Sequence, residues 1–293
     1  MRLYTTVAVA AAAALGLWVG SNTNDSDIAI ASADARVAGL SGLVVSPDGA
    51  GFTALGDRGV LVRGTLTRKD GVLVSARADS VEVLRDVMGE PIERGENDAE
   101  GLALTAKGDV VISFEGKVPR ISRFDAKTRE HVLSRFPEPG RMRGDNASLE
   151  ALALDDRGRP VTLMEQPLQY RDRTEIYRLQ DGKWTVIGYL MLSDGFLPVG
   201  AEFAPDGSLY VLERRFNFGG LRSRLRRVVL GDPVLSGQVV WAPEKSYGNL
   251  EGLSLWTDGD GSLRAVMVAD NNQLPFLPKG LTEIVLAKKG AGE

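Results

Sequence analysis

The 293-residue chain contains no cysteine. Disulfides, thiolate nucleophiles and Cys-ligated zinc are excluded together. It has a single histidine, His131, at the start of an outer strand of the pattern read below. One imidazole excludes a multi-histidine metal site and argues against a Ser-His-Asp triad. His131 itself reads as a partly exposed strand residue. An excess of either charge is also missing: 35 Lys+Arg against 39 Asp+Glu leave a net charge of -4. Phosphate backbones demand a basic surface, so nucleic acid is not an expected partner. Aromatic residues are 6% of the chain within a hydrophobic fraction of 43%, which is ordinary globular composition. There is no Gly-x-Ser-x-Gly elbow, no phosphate-binding Gly-rich loop and no dinucleotide fingerprint.

Long apolar runs are likewise scarce. The one at the N-terminus, Val7 to Val19, follows Arg2 and is short for a membrane span. Residues 1–21 therefore read as a signal peptide or, alternatively, an uncleaved N-terminal anchor, which would be the chain's only membrane contact. No cysteine follows this segment, so a lipid-anchored lipoprotein is excluded. The expected location is a bacterial periplasm or the cell exterior, and residues 22–293 are expected to form one domain.

What the chain has in quantity is a repeat. A small apolar strand, a turn with Gly and a second apolar strand, often ending in an acid, recur from Ser41-Gly42-Leu43 to Asp57, Glu100-Gly101-Leu102 to Glu115, Glu150-Ala151-Leu152 to Glu165, Val199-Gly200-Ala201 to Glu213, and Glu251-Gly252-Leu253 to Asp270. The last four copies start about fifty residues apart, a period that with strand-like units predicts a β-propeller. The turns Pro47-Asp48-Gly49, Ala106-Lys107-Gly108, Asp156-Arg157-Gly158, Pro205-Asp206-Gly207 and Asp258-Gly259-Asp260-Gly261 carry residues suited to positive φ in hairpins. The fold class is all-β, and five four-stranded blades are favoured, with six the alternative if Gly56–Asp98 hides another pairing. The fifth unit has only three strands. The missing one is expected from Asp27–Ala33, closing the ring and removing open edges.

In each hairpin the start of the first strand and the end of the second share a rim. One rim thus gathers Glu100, Glu115, Glu150, Glu165, Glu251 and Asp270, with Asn97, Asp98, Asn146 and Asn249 just before the inner strands. Oxygen-only donors suit Ca²⁺ or Mg²⁺. Glu100, Glu150, Glu251, Asn97, Asn146 and Asn249 are candidate ligands for Ca²⁺, and Glu115 or Glu165 candidate general bases. The competing expectation is that the acids cap strand ends and bind backbone N–H groups of the next blade. Arg58 and Arg214 follow the acids that end a second strand, Asp57 and Glu213, and are candidate contacts for a small anionic substrate. The run Arg222, Arg224, Arg226, Arg227 reads as an exposed outer strand. Phe216-Asn217-Phe218 would either wall a pocket or pack on its own blade.

The elements Ser41-Gly42-Leu43, Asn97-Asp98-Ala99-Glu100-Gly101-Leu102, Phe114-Glu115, Glu150-Ala151-Leu152, Glu165, Glu213-Arg214, Asn249-Leu250-Glu251-Gly252-Leu253 and Asp270-Asn271-Asn272 together resemble the phytase-like domain family, the "esterase-like activity of phytase" proteins. The resemblance implies a β-propeller in an exported bacterial protein. The functional expectation is a hydrolase of ester or phosphate-ester bonds, possible metal assistance included. The alternative is a non-catalytic binding propeller that presents its loop-rich face to a protein or glycan.

Overall fold

The computed structural model describes residues 25–116, 118–125, 128–135, 149–165, 170–218, 220–271 and 280–287. These form strands and turns only. In chain order the strands are β1 (Ser26–Ala31), β2 (Leu40–Val45), β3 (Gly51–Gly56), β4 (Val60–Lys69), β5 (Val72–Val83), β6 (Ala99–Leu104), β7 (Val110–Phe114), β8 (Arg120–Phe124), β9 (Glu130–Arg135), β10 (Ala151–Leu154) and β11 (Pro160–Leu163). There follow β12 (Arg173–Gln180), β13 (Lys183–Met191), β14 (Leu197–Phe203), β15 (Leu209–Asn217), β16 (Gly220–Val228), β17 (Val234–Leu235), β18 (Gln238–Trp241), β19 (Asn249–Thr257), β20 (Leu263–Asp270) and β21 (Gly280–Ala287).

Second strands such as β7, Val-Val-Ile-Ser-Phe, are buried along their whole length. They have sheet neighbours packed on both faces, which is why they read as continuous apolar runs rather than alternating ones. Outer strands such as β5 bury few of their residues. The expected hairpin turns are present: the glycines at 49, 108, 158, 207 and 261 all have φ between +70 and +84°, where other residues are strained.

The strands make four sheets, where the repeats predicted five separate units. Two contain β6–β9 and β14-β15-β16-β18, and a third joins β10–β13 to β17. The fourth has eight strands, β19-β20-β21-β1-β5-β4-β3-β2. Its cause is β1. Ser26 to Ala29 pair antiparallel with β21, then Ile30 and Ala31 pair parallel with β5. The N-terminal segment thus supplies the fourth partner of the last repeat and also ties it to the first.

The inner strands pack in a cycle, β2 on β6, β6 on β10, β10 on β14, β14 on β19 and β19 on β2. This arrangement is a β-propeller. Each buried cluster straddles one seam of the cycle; Leu55, Leu61, Leu102, Ile112 and Phe114 fill that between the first and second repeats. The repeated glycine makes the seams possible. A Cβ on Gly101 would lie 2.5 Å from Leu152 Cβ, and one on Gly252 would lie 2.9 Å from the carbonyl carbon of Gly42. Here glycine is needed for close approach of neighbouring strands.

One expectation fails in the fourth repeat. Arg224 and Arg226 are buried, not exposed. Arg224 Nε lies 2.5 Å from Glu213 Oε2, and Arg226 bonds the other Glu213 oxygen. Glu213 is thereby the acid of a buried ion triad inside its own sheet.

Candidate functional site

The hairpin glycines define one face, the turn face. The opposite, acidic face holds the strand starts, and there the inner strands share an irregularity. Pairing skips Ser41 between Leu40 and Gly42, Glu100 and Gly101 between Ala99 and Leu102, Val199 between Pro198 and Gly200, and Glu251 between Leu250 and Gly252. Each is a β-bulge, which bends the strand and re-aims a side chain. In the third repeat, Glu150 immediately precedes β10, whose pairing begins at Ala151. Hence Ser41, Glu100, Glu150, Val199 and Glu251 occupy corresponding positions at the acidic end of the axis. Between the inner strands the axis itself is nearly filled, with a cavity of about 10 Å³ that Glu150 and Glu251 help line. That is room for about one water. The axis therefore has no room for a larger molecule between the inner strands.

The mouth has two unlike halves. In one, Arg214 at the end of β15 reaches across two seams. Its guanidinium bonds Glu251, donates to Asn249 Oδ1 at 2.6 Å and donates to Glu165 Oε1 at 3.3 Å. Asn249 Nδ2 in turn donates to Glu251 at 2.8 Å and to Asp270 at 3.3 Å. Burial pushes Glu251 up to about 7, with Arg214 opposing and Asp270 reinforcing the shift. Among the expected metal ligands, Glu251 Oε1 and Asn249 Oδ1 both accept from the Arg214 guanidinium. Glu165, a candidate base, belongs to the same ion-paired group.

In the other half, Asp98, Glu100 and Glu115 bring one carboxylate oxygen each to within 4.8 Å of one another. The hairpin β6–β7 does this, because Ala99 faces Phe114 in register and the Glu115 N–H donates to the Asp98 carbonyl at 2.8 Å. Burial, then Glu150, Glu115, Glu251 and Asp98, hold Glu100 well above the usual carboxylate range. The charges acting most strongly on it are all negative. Asp98 is raised by burial, and a hydrogen bond with Glu100 opposes this. Glu150 lies between the halves. Burial raises it, as do Glu165, Glu115 and Glu251, while Arg214 pulls the other way.

The remaining candidates are placed differently from expectation. Asn97 spends its side chain on the loop, its oxygen accepting from Gly95 N–H at 3.2 Å and its amide donating to the Arg58 carbonyl at 3.1 Å. Arg58 is exposed on the acidic face. Asn146 lies outside the described residues, as does the segment 1–21. Asp98 joins Glu100 and Glu115 in the carboxylate cluster, though the sequence reading did not name it as a candidate; the signal was its place beside Glu100 at the strand start. The alternative expectation, side chains capping the next inner strand, holds for other residues. Ser41 donates to the Ala99 carbonyl at 2.6 Å, and Ser254 accepts from Val45 N–H at 2.9 Å.

The sequence matches the phytase-like family, "Esterase-like activity of phytase", over residues 35–273. The chain belongs to this family. No curated protein matches it. Among solved structures it is similar to a candidate exo-β-1,3-galactanase from Bifidobacterium bifidum, at 16% identity and a TM-score of 0.51, over 85% of this chain and 88% of the other. It is also similar to a gluconolactonase from Xanthomonas campestris, at 17% identity and a TM-score of 0.48, over 85% and 87%. The calcium-binding protein regucalcin from Agrobacterium tumefaciens aligns at 12% identity and a TM-score of 0.48, over 85% and 91%. At these identities the likeness concerns the fold.

Proposed function

We propose that the protein is an exported, metal-assisted hydrolase of ester or phosphate-ester bonds, built on a five-bladed propeller. The blade count is supported by the five-membered cycle of inner strands and by one buried cluster at each seam among the described residues. On this reading the two-pair parallel contact of β1 with β5 is a join between blades.

The observation that carries the functional reading is the convergence of Asp98, Glu100 and Glu115. Three hard oxygen donors with mutual repulsion fit a divalent cation of the Ca²⁺ class, which takes carboxylates and waters in flexible geometry. When bound, such an ion supplies a Lewis acid for the scissile oxygen and a more acidic water. Glu150, poised above the usual carboxylate range beside this cluster, is placed to take and return the proton of the attacking water. Arg214 engages Glu251 and Glu165 and offsets part of the negative charge on its side of the mouth. Arg58, exposed on the same rim, contacts the anionic part of a small substrate. Localisation in a bacterial periplasm or the exterior, with residues 1–21 as signal or anchor, is part of the same proposal.

Chromogenic carboxylic and phosphate esters, assayed with added Ca²⁺ and with chelator, test this directly. Turnover that is lost in chelator and in Glu100→Gln supports it. Turnover indifferent to both, or none on either ester class, contradicts it. One observation favours the alternative of a binding propeller: Phe216 and Phe218 stand exposed on the β15–β16 hairpin, where they neither wall a pocket nor pack on their own sheet. If partner capture is the function, Phe216→Ala with Phe218→Ala abolishes binding to a glycan or protein array, whereas the hydrolase reading leaves turnover on small esters unchanged.

A further inference from the structure

The turn face holds a second concavity, remote from the acidic mouth. It is a funnel of about 1300 Å³. Its floor is made of inner-strand ends, Val45, Leu104, Leu154, Phe203 and Leu255, which are apolar, together with Glu202. Glu202 Oε2 accepts from Leu255 N–H at 2.7 Å, so it caps the free edge of β19. At the next seam Ser254 performs the same task on Val45 N–H. A hydroxyl therefore suffices for the cap, and a carboxylate adds a costly half-buried charge. Burial pushes Glu202 up to about 7, with hydrogen bonds from Leu255 and Ser254 opposing and no cation among the groups that act on it. Other acids of the funnel have cations beside them: Asp155 pairs with Arg159 and Arg178, and Asp206 with Arg227. Glu202, among the apolar strand ends, has none among the groups that act on it.

We propose that this funnel is a second binding site, for a small organic cation with an apolar body. Its ammonium group meets the Glu202 carboxylate, and its hydrocarbon lies against Phe203, Leu104 and Leu154. The site is independent of the acidic face and of whatever reaction occurs there.

Calorimetric titration with phenethylamine, and with 2-phenylethanol as its uncharged counterpart, decides the matter. At about pH 8 the amine should bind saturably, one per chain, and the alcohol at least tenfold more weakly. Glu202→Gln and Glu202→Ser should each weaken the amine at least tenfold, and Glu100→Gln should not. Affinity should fall between about pH 8 and about pH 6 as Glu202 takes up its proton. Asp206, lowered to about 2 by its bonds with Ser208, does not titrate there. The serine variant keeps a hydroxyl for the Leu255 cap, so it serves if the glutamine variant melts early. Absence of saturable binding, equal binding of amine and alcohol, or unchanged affinity in folded Glu202 variants would each overturn the proposal.

Discussion

Around Arg214, two carboxylates and an amide oxygen share one guanidinium; around Glu100, carboxylates face carboxylates. Both halves of the acidic mouth start from the same element, an inner strand that opens with Glu-Gly-Leu and bulges at the glutamate. The difference comes from the preceding blade. In blade four the second strand, β15, carries Glu213-Arg214 in its course, and Arg214 reaches across to β19. The blade before Glu100 ends with Asp57-Arg58, and Arg58 points outward. One half of the mouth therefore carries a countercharge in the chain, while in the other the charges acting on Glu100 are carboxylates. A propeller that repeats a backbone thus need not repeat an electrostatic environment.

Removing the internal cation should break this contrast with the largest effect. Arg214→Met leaves Glu251 and Glu165 without their cation, Glu251 keeping only the Asn249 amide, and such a loss costs roughly 3–5 kcal/mol. The sign of its pH dependence follows from Glu251, whose folded pKa of about 7 lies above its unfolded value. Below the unfolded pKa the group is protonated in both states and the variant loses least. The loss grows as pH rises toward and past 7. Urea unfolding at about pH 5 and about pH 8 measures it; equal losses at both would show that Arg214 contributes by packing alone.

A smaller effect is expected at the outward-pointing arginine. Arg58→Ala should raise KM about tenfold, or about 1.4 kcal/mol, for an anionic substrate, with the melting temperature unchanged because Arg58 is exposed. A destabilised variant with unaltered KM would remove Arg58 from the site.

The smallest effect sharpens the other half. In metal-free protein, Glu100→Gln relieves repulsion, so it should stabilise at about pH 8 by up to ~1 kcal/mol, the size of an ordinary substitution. Glu100 is raised on folding, so its contribution is most favourable below its unfolded pKa and declines as pH rises through the folded one. The gain from glutamine should vanish at low pH. A variant less stable than the parent at about pH 8 would mean that Glu100 makes a structural bond outweighing the repulsion.

Much of this was legible in the sequence, for identifiable reasons. The turn glycines could be read because positive φ admits few other residues, and the repeat period because each blade must supply the same strands. The closing segment was foreseen from the incomplete last unit. The bulges were not. They shift one residue of pairing, and nothing in Glu-Gly-Leu distinguishes a paired glutamate from an extra one. Symmetry was also read too far. Glu100, Glu150 and Glu251 look equivalent along the chain, but which of them meets Arg214 depends on a contact spanning 37 positions. Asn97 was named as a candidate ligand without sight of the loop hydrogen bonds that its side chain makes. The Arg222, Arg224, Arg226 alternation did carry a usable signal. Of the period-2 arginines on one face of β16, Arg224 stands opposite Glu213 of β15 in register, a cross-strand charge pair. The turn-face funnel could not be read at all, because its floor is assembled from strand ends far apart in sequence.

The central claim is that the carboxylate half of the mouth, and not the Arg214 half, takes a divalent cation. Titrating metal-free protein with Ca²⁺, by calorimetry and thermal unfolding together, tests it. The account predicts one ion per chain and a stabilisation of about 2.7 kcal/mol at a hundred times Kd, lost in Glu100→Gln and in Glu115→Gln, and retained in Asn249→Ala. No binding heat and equal melting in calcium and chelator, or a calcium shift that survives both glutamine variants, would contradict it.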